Sequence, residues 1–208
     1  WIRLHTNYES HRAAALSVLG CANQRSVVEA AVVSWDPVEL EYAIVGAGGC
    51  AAVMHQPADW KSQEPLLRID QRESRFKGSG PASMPFEGIR VLDLTRVIAG
   101  PVCTRFLAAY GAEVLRIDPP AFQEVAALVP ETSAGKHCAS LDLASPRGRE
   151  VFSGLVAEAD VLVCGLRPGA LDRLGITSED LAAINPELSS PASTRTAGRV
   201  PGATAADS

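Results

Sequence analysis

The stretch Ile89-Arg90-Val91-Leu92-Asp93-Leu94-Thr95-Arg96-Val97-Ile98-Ala99-Gly100-Pro101 decides the fold of this chain. Residues 89–94 are a run of mostly apolar, partly β-branched side chains of strand length. Ala99-Gly100-Pro101 is a turn leading into a helical run from Cys103 to Tyr110, which Gly111 ends. Glu113-Val114-Leu115-Arg116-Ile117 gives a second strand after only a short turn. Strand, helix and strand in that order specify a right-handed parallel crossover. The pattern then repeats. Cys138–Leu143 predicts a strand, Ser145-Pro146 starts a helix to about Ala157, and Asp160–Cys164 predicts a fourth strand. Two such units predict an α/β fold, an incomplete Rossmann-like parallel sheet with helices on both faces.

Downstream, two short helices are expected over Gly169–Leu174 and Ser178–Ile184, with Asn185-Pro186 as the stop. Residues 189–208 carry Val200 as their only large apolar side chain and are expected to be a disordered tail. Upstream, residues 1–71 read as a small α+β domain. Trp1-Ile2-Arg3-Leu4 is strand-like, and Ser10–Leu19 permits a helix closed by Gly20. Val27, Val28, Ala31 and Val32 recur at helical spacing, Asp36-Pro37 caps a third helix, and Cys50–Met54 reads as a short strand. Pro57-Ala58-Asp59-Trp60 reads as another helix start, and residues 72–86 as a linker rich in Arg, Lys, Gly, Ser and Pro. The opening Trp1 in place of Met implies that upstream sequence is missing. Gly46-Ala47-Gly48-Gly49 follows a helix and lacks a Lys-Ser/Thr ending, which argues against a phosphate loop.

Composition narrows the function. A 47% hydrophobic content supplies a core, and a net charge of −5 without a basic run is a poor match to nucleic acid or an anionic membrane. No apolar run approaches a membrane span, and no signal peptide is evident. The 5 cysteines are scattered singly, so they outline neither a disulfide framework nor a zinc site and fit a reducing cytoplasm. None of His5, His11, His55 and His137 has a partner at metal-ligand spacing, so no metal is expected.

Several pieces, in order, resemble class III CoA-transferases, the family of carnitine and formyl-CoA transferases and related acyl-CoA racemases. The carrying residues are 88–101, then Gly111-Ala112-Glu113-Val114-Leu115-Arg116-Ile117, Gly135-Lys136 and Ser140-Leu141-Asp142-Leu143. Ala159–Val163, the run Arg167-Pro168-Gly169-Ala170-Leu171-Asp172-Arg173-Leu174-Gly175 and Ile184-Asn185-Pro186 complete the match. Residues 87–188 thereby look like the Rossmann-like CoA-binding part of the family's large domain. Residues 47–54 with 57–60 are similar to its small domain, an order implying a longer homologue with two family-like halves.

The resemblance implies coenzyme A as substrate thioester, an acyl-CoA and a carboxylic acid as partners, and a homodimer in the full-length form. It places CoA contacts at Val97, Ile98 and Ala99, with the Gly100-Pro101 helix start facing the ligand. It places a phosphate contact at Arg173, an adenine contact at Leu174 and a basic position near CoA at Lys136. Residue by residue the alternatives are a plain β-α turn, a solvated cation near a helix end, and a solvated lysine. Pro119 and Gly165 depart from a common basic residue and a common Asn, and His137 replaces a common Arg.

The family's chemistry implies an aspartate that attacks the acyl-CoA carbonyl and is then converted through an aspartyl-CoA thioester. That aspartate belongs well past Asn185-Pro186, and Asp207 lies outside any matching motif, so no catalytic residue is assigned and turnover by this chain alone is not expected. One codon choice for residues 189–196, read two bases later, gives Val-Ala-Ser-Leu-Asn-Ala-Tyr-Gly, the strand and loop that relatives show there. A frameshift near Leu188 is the expected origin of the tail. An acyl-CoA racemase and a non-catalytic CoA-binding or dimerisation module are the alternative functions.

Overall fold

The computed structural model describes residues 1–56, 83–120, 122, 124–167 and 169–189. The chain divides into two compact units, Trp1–Leu67 and Arg68–Ser208.

In the first unit β1 (Ile2–Leu4) pairs antiparallel with β2 (Ala51–Val53), Arg3 opposite Ala52. Between them run α1 (Glu9–Leu19), α2 (Arg25–Val33) and α3 (Pro37–Gly46). The expected starts and stops hold for local reasons. The Asp36 carboxylate accepts from Val38 N and Glu39 N with Pro37 in the first turn, and Gly20 ends α1 at φ 60°. Ala15, Leu40, Ile44 and Ala51 form the core, which Ile2, Leu4, Val32 and Trp35 flank. The helix expected from Pro57 lies outside the described residues.

The second unit is the parallel sheet. Its strands are β3 (Arg90–Leu94), β4 (Glu113–Asp118), β5 (His137–Ser140) and β6 (Val161–Cys164), ordered β5-β4-β3-β6 with every neighbouring pair parallel. Helices α4 (Ala99–Ala109), α5 (Val129–Ser133), α6 (Pro146–Glu158) and α7 (Ser178–Ile184) connect and follow them. Alternation along each strand separates two faces. Leu92, Leu94, Ile117 and Leu162 pack with Phe152 and Val156 of α6 and Leu181 of α7. Val91 and Val114 pack instead with Leu107 and Ala108 of α4. Helices therefore cover both faces, as expected of a doubly wound sheet.

Several boundaries differ from the sequence reading; α4 already starts at Ala99, inside the expected turn, and the helix expected over Gly169–Leu174 is only a 3₁₀ turn at Asp172–Leu174. The expected strand to Leu143 stops at Ser140, because Asp142 turns its carboxylate to Ala144 N (3.0 Å) and its carbonyl to the Ser145 hydroxyl that caps α6. Phe86, expected in the linker, packs beside Val91, and its N–H bonds to Tyr110 O at 2.9 Å. Ser189, expected at the head of the tail, bridges in parallel to Val161, its N–H donating to Asp160 O and its carbonyl accepting from Leu162 N. Residues 190–208 lie outside the described residues.

Candidate functional site

The chain runs from β3 outward to β4 and β5, then returns across the sheet to lay β6 on the other side of β3. The connections leaving the carboxyl ends of β3 and β6 thus diverge, and such a switch point is where open α/β sheets form their ligand crevices. Thr95–Ile98 follow β3 there, and Gly165–Arg167 follow β6.

The turn from β3 into α4 is strained and tightly held. Val97 sits at φ 71°, among described residues the sole non-glycine with positive φ. For a β-branched side chain this conformation costs about 1–3 kcal/mol and persists only where the surroundings impose it. Ile98, the residue before the first helical turn, supplies no side-chain cap. Val97 and Ile98 are 39% and 56% exposed, so the turn presents apolar side chains to solvent. Gly100 lets the helix start close against the strand, since a Cβ there would lie 2.3 Å from the Thr95 Cβ.

Beneath the turn lies a buried charged group. Asp93 Oδ1 accepts from the Thr95 N–H (2.9 Å) and hydroxyl (2.5 Å), and Oδ2 accepts from the Thr104 hydroxyl (2.5 Å) and Lys136 Nζ (2.8 Å). Lys136 Nζ also donates to Pro101 O (2.9 Å) and to Thr104 Oγ1 (2.6 Å). Both charged side chains are 0% exposed. Lys136 is therefore not the solvated lysine of the alternative reading. Its three ammonium hydrogens are matched by three protein acceptors, so in this arrangement it supports the turn from below and has no donor left for the expected CoA contact.

A second charged group adjoins it, with Arg116 opposite Asp93 in the sheet. Its Nη2 reaches Glu124 Oε2 at 2.7 Å, its Nη1 the Thr132 hydroxyl at 3.3 Å, and its Nε lies 2.9 Å from Asp118 Oδ2. Burial works against the charged guanidinium, but the hydrogen bonds it donates to Glu124 and Asp118 outweigh it and raise its pKa. Glu124 is fixed in this way two residues from Phe122, whose ring lies 4.2 Å from the Arg96 guanidinium. Burial also pushes the Cys164 thiol up, partly offset by a backbone hydrogen bond from Leu166 and by the charge of Arg96.

Of the expected site residues, the structure places Val97, Ile98 and Ala99 at the end of β3, and Arg173 and Leu174 in a single 3₁₀ turn (Asp172–Leu174) after β6. Arg173 is exposed, whereas Leu174 is half-buried and packs against the α6-side core. The sequence reading missed Asp93, Thr95 and Thr104. Its one available signal was a carboxylate in the middle of an otherwise apolar strand. Among the described residues no group of three or more His, Cys, Asp or Glu could hold a metal ion. No helix among them is long and apolar enough to cross a membrane.

Residues 86–189, half of the chain, match the profile of CoA-transferase family III. The formyl-CoA:oxalate CoA-transferase of Escherichia coli O81 (strain ED1a) is 39% identical over 118 residues, covering 51% of this chain and 28% of that protein. That of Escherichia coli O6:H1 is 38% identical over the same shares. The chain thus spans little more than a quarter of the length of these relatives. Among solved structures, a hypothetical protein from Mycobacterium tuberculosis is 31% identical with a TM-score of 0.48, over 52% of this chain and 33% of that one. A CAIB/BAIF family protein from Brucella suis is 31% identical with a TM-score of 0.47, over 51% and 32%. With half its length matched, this chain belongs to CoA-transferase family III.

Proposed function

We propose that residues 83–189 form the coenzyme A-binding part of an acyl-CoA transferase, a protein that moves CoA between a thioester and a carboxylic acid. The observation that carries this reading is the strained turn at Val97, which opens α4 at the switch point between β3 and β6. A helix start offers backbone N–H groups and a positive dipole end to an anionic diphosphate, and backbone strain concentrates at ligand-binding turns.

In this reading Val97, Ile98 and Ala99 line the cofactor. Arg173, exposed on the turn after β6, supplies a cation for a phosphate, and the half-buried Leu174 presents its free edge to the adenine. Lys136 holds the turn from beneath. The acceptor is a carboxylic acid, the full-length form is a homodimer, and scattered unpaired cysteines favour a cytoplasmic setting.

A second reading is CoA binding without turnover, the resemblance placing the aspartate nucleophile past Asn185-Pro186 and so outside most of the matched residues 86–189. Titration of CoA into the chain tests both readings. Bound ligand at about 100 times its Kd adds about 2.7 kcal/mol of stability, which thermal melts register directly. Arg173→Ala is expected to weaken binding of CoA more than of 3′-dephospho-CoA or pantetheine, because it removes one phosphate contact. No melting shift with millimolar CoA would overturn the proposal. A shift with no acyl exchange between acetyl-CoA and added carboxylates would select the second reading.

A further inference from the structure

We propose that Asp93 and Lys136 are positioning residues whose buried ion pair sets the shape of the β3–α4 turn, and so the affinity for CoA. The proposal rests on the reading of that turn as a CoA-binding element. Two fully buried opposite charges are a poor source of stability, since an apolar pair of similar volume often serves as well. What distinguishes this pair is where its hydrogen bonds end. Asp93 takes both the N–H and the hydroxyl of Thr95, two residues before Val97, and the hydroxyl of Thr104 in the second turn of α4. Lys136 reaches over from the start of β5 to the Pro101 carbonyl and Thr104 Oγ1. Both flanks of Val97-Ile98-Ala99 are therefore anchored to one charge pair, and the strained φ of 71° lies between the anchors. Gly100, pressed against Thr95, leaves the turn little room to relax inward.

The test uses the full chain carrying Asp93→Val together with Lys136→Met, which removes both charges with only a small gain in volume. Two readouts are taken, amide hydrogen exchange of Thr95 and Val102, whose N–H groups are bonded on either side of the turn, relative to β4 and α6, and affinity for free CoA. The expected result is a folded variant whose turn amides exchange at least about tenfold faster while β4 and α6 keep their protection, and whose CoA affinity falls about tenfold. A merely structural role would speed exchange evenly across the unit. Even acceleration, or unchanged exchange in the turn, overturns the proposal. Local acceleration in a chain whose wild type binds no CoA upholds the positioning role and sinks the CoA reading instead. Should the double variant not fold, Thr95→Val removes one anchor at nearly constant shape, and the same exchange comparison decides.

Discussion

Replacing Gly100 by alanine sets two physical effects of opposite sign against each other. On helix propensity alone the substitution stabilises, by at most about 1 kcal/mol in a helix interior and less in the first turn. The structure reverses that expectation. An alanine Cβ at position 100 would lie 2.3 Å from Thr95 Cβ, 2.5 Å from Cγ2 and 2.8 Å from Oγ1. Thr95 cannot swing aside freely, because it is 1% exposed and its hydroxyl is bound to Asp93 at 2.5 Å. Overpacking a tight site costs roughly 1–3 kcal/mol, and losing a hydrogen bond to a charged group costs roughly 1.5–3 kcal/mol more. Net of the propensity gain, the loss is roughly 2–5 kcal/mol, which lowers the melting temperature of a unit this size by at least about 8 °C. Gly154→Ala is the control. Gly154 is exposed inside α6, and nothing lies within 4 Å of where its new methyl group would sit, so the same chemical change gains about 0.5–1 kcal/mol. Thermal melts of both variants by circular dichroism decide the matter. A Gly100→Ala chain melting at or above the wild-type temperature refutes the close approach of α4 to Thr95.

Further outcomes follow from other contacts. Arg116→Met leaves the Glu124 side chain, 9% exposed, without its cation, and is expected to cost about 3–5 kcal/mol in urea unfolding; adding Glu124→Leu should recover much of that, and a single variant as stable as wild type would contradict the ion cluster. Asn185 donates to Val156 O (3.0 Å) and Ala159 O (2.8 Å) at the end of α6, so Asn185→Ala should lose about 1–3 kcal/mol, read by the same titration. Burial raises the Cys164 pKa, so the unfolded chain gives up that proton first, and stability should fall as pH rises through the window above the ordinary thiol value. Iodoacetamide at mildly alkaline pH should accordingly label the exposed Cys103 and Cys138 well before Cys164, an order that vanishes in denaturant.

The sequence made the sheet legible because its signals are local. Asp36-Pro37 and Ser145-Pro146 announce helix starts, and Gly20 announces a stop; each acts within one turn of chain, and each helix begins or ends there. Helix α5 escaped because five residues, one of them Pro130, are too few for a 3.6-residue period to show. The turn at Val97 was legible as a place but not as a conformation, since a β-branched residue gives no warning of positive φ. The pairing of Lys136 with Asp93 was out of reach altogether. It joins residues 43 apart, and only the register of β4 and β5 beside β3 brings them together.

Asp93 also gives β3 only one tolerated way up. Val91 and Asp93 face α4, while Leu92 and Leu94 face α6. Sliding the strand by a single residue against its neighbours would exchange these sets and drive a carboxylate toward Phe152 and Val156, with no cation to meet it. An all-apolar strand in the centre of a parallel sheet would accept the slip at little cost. A sheet paired one residue out of step would bury that carboxylate unpaired, so a single charge in the central strand specifies its register.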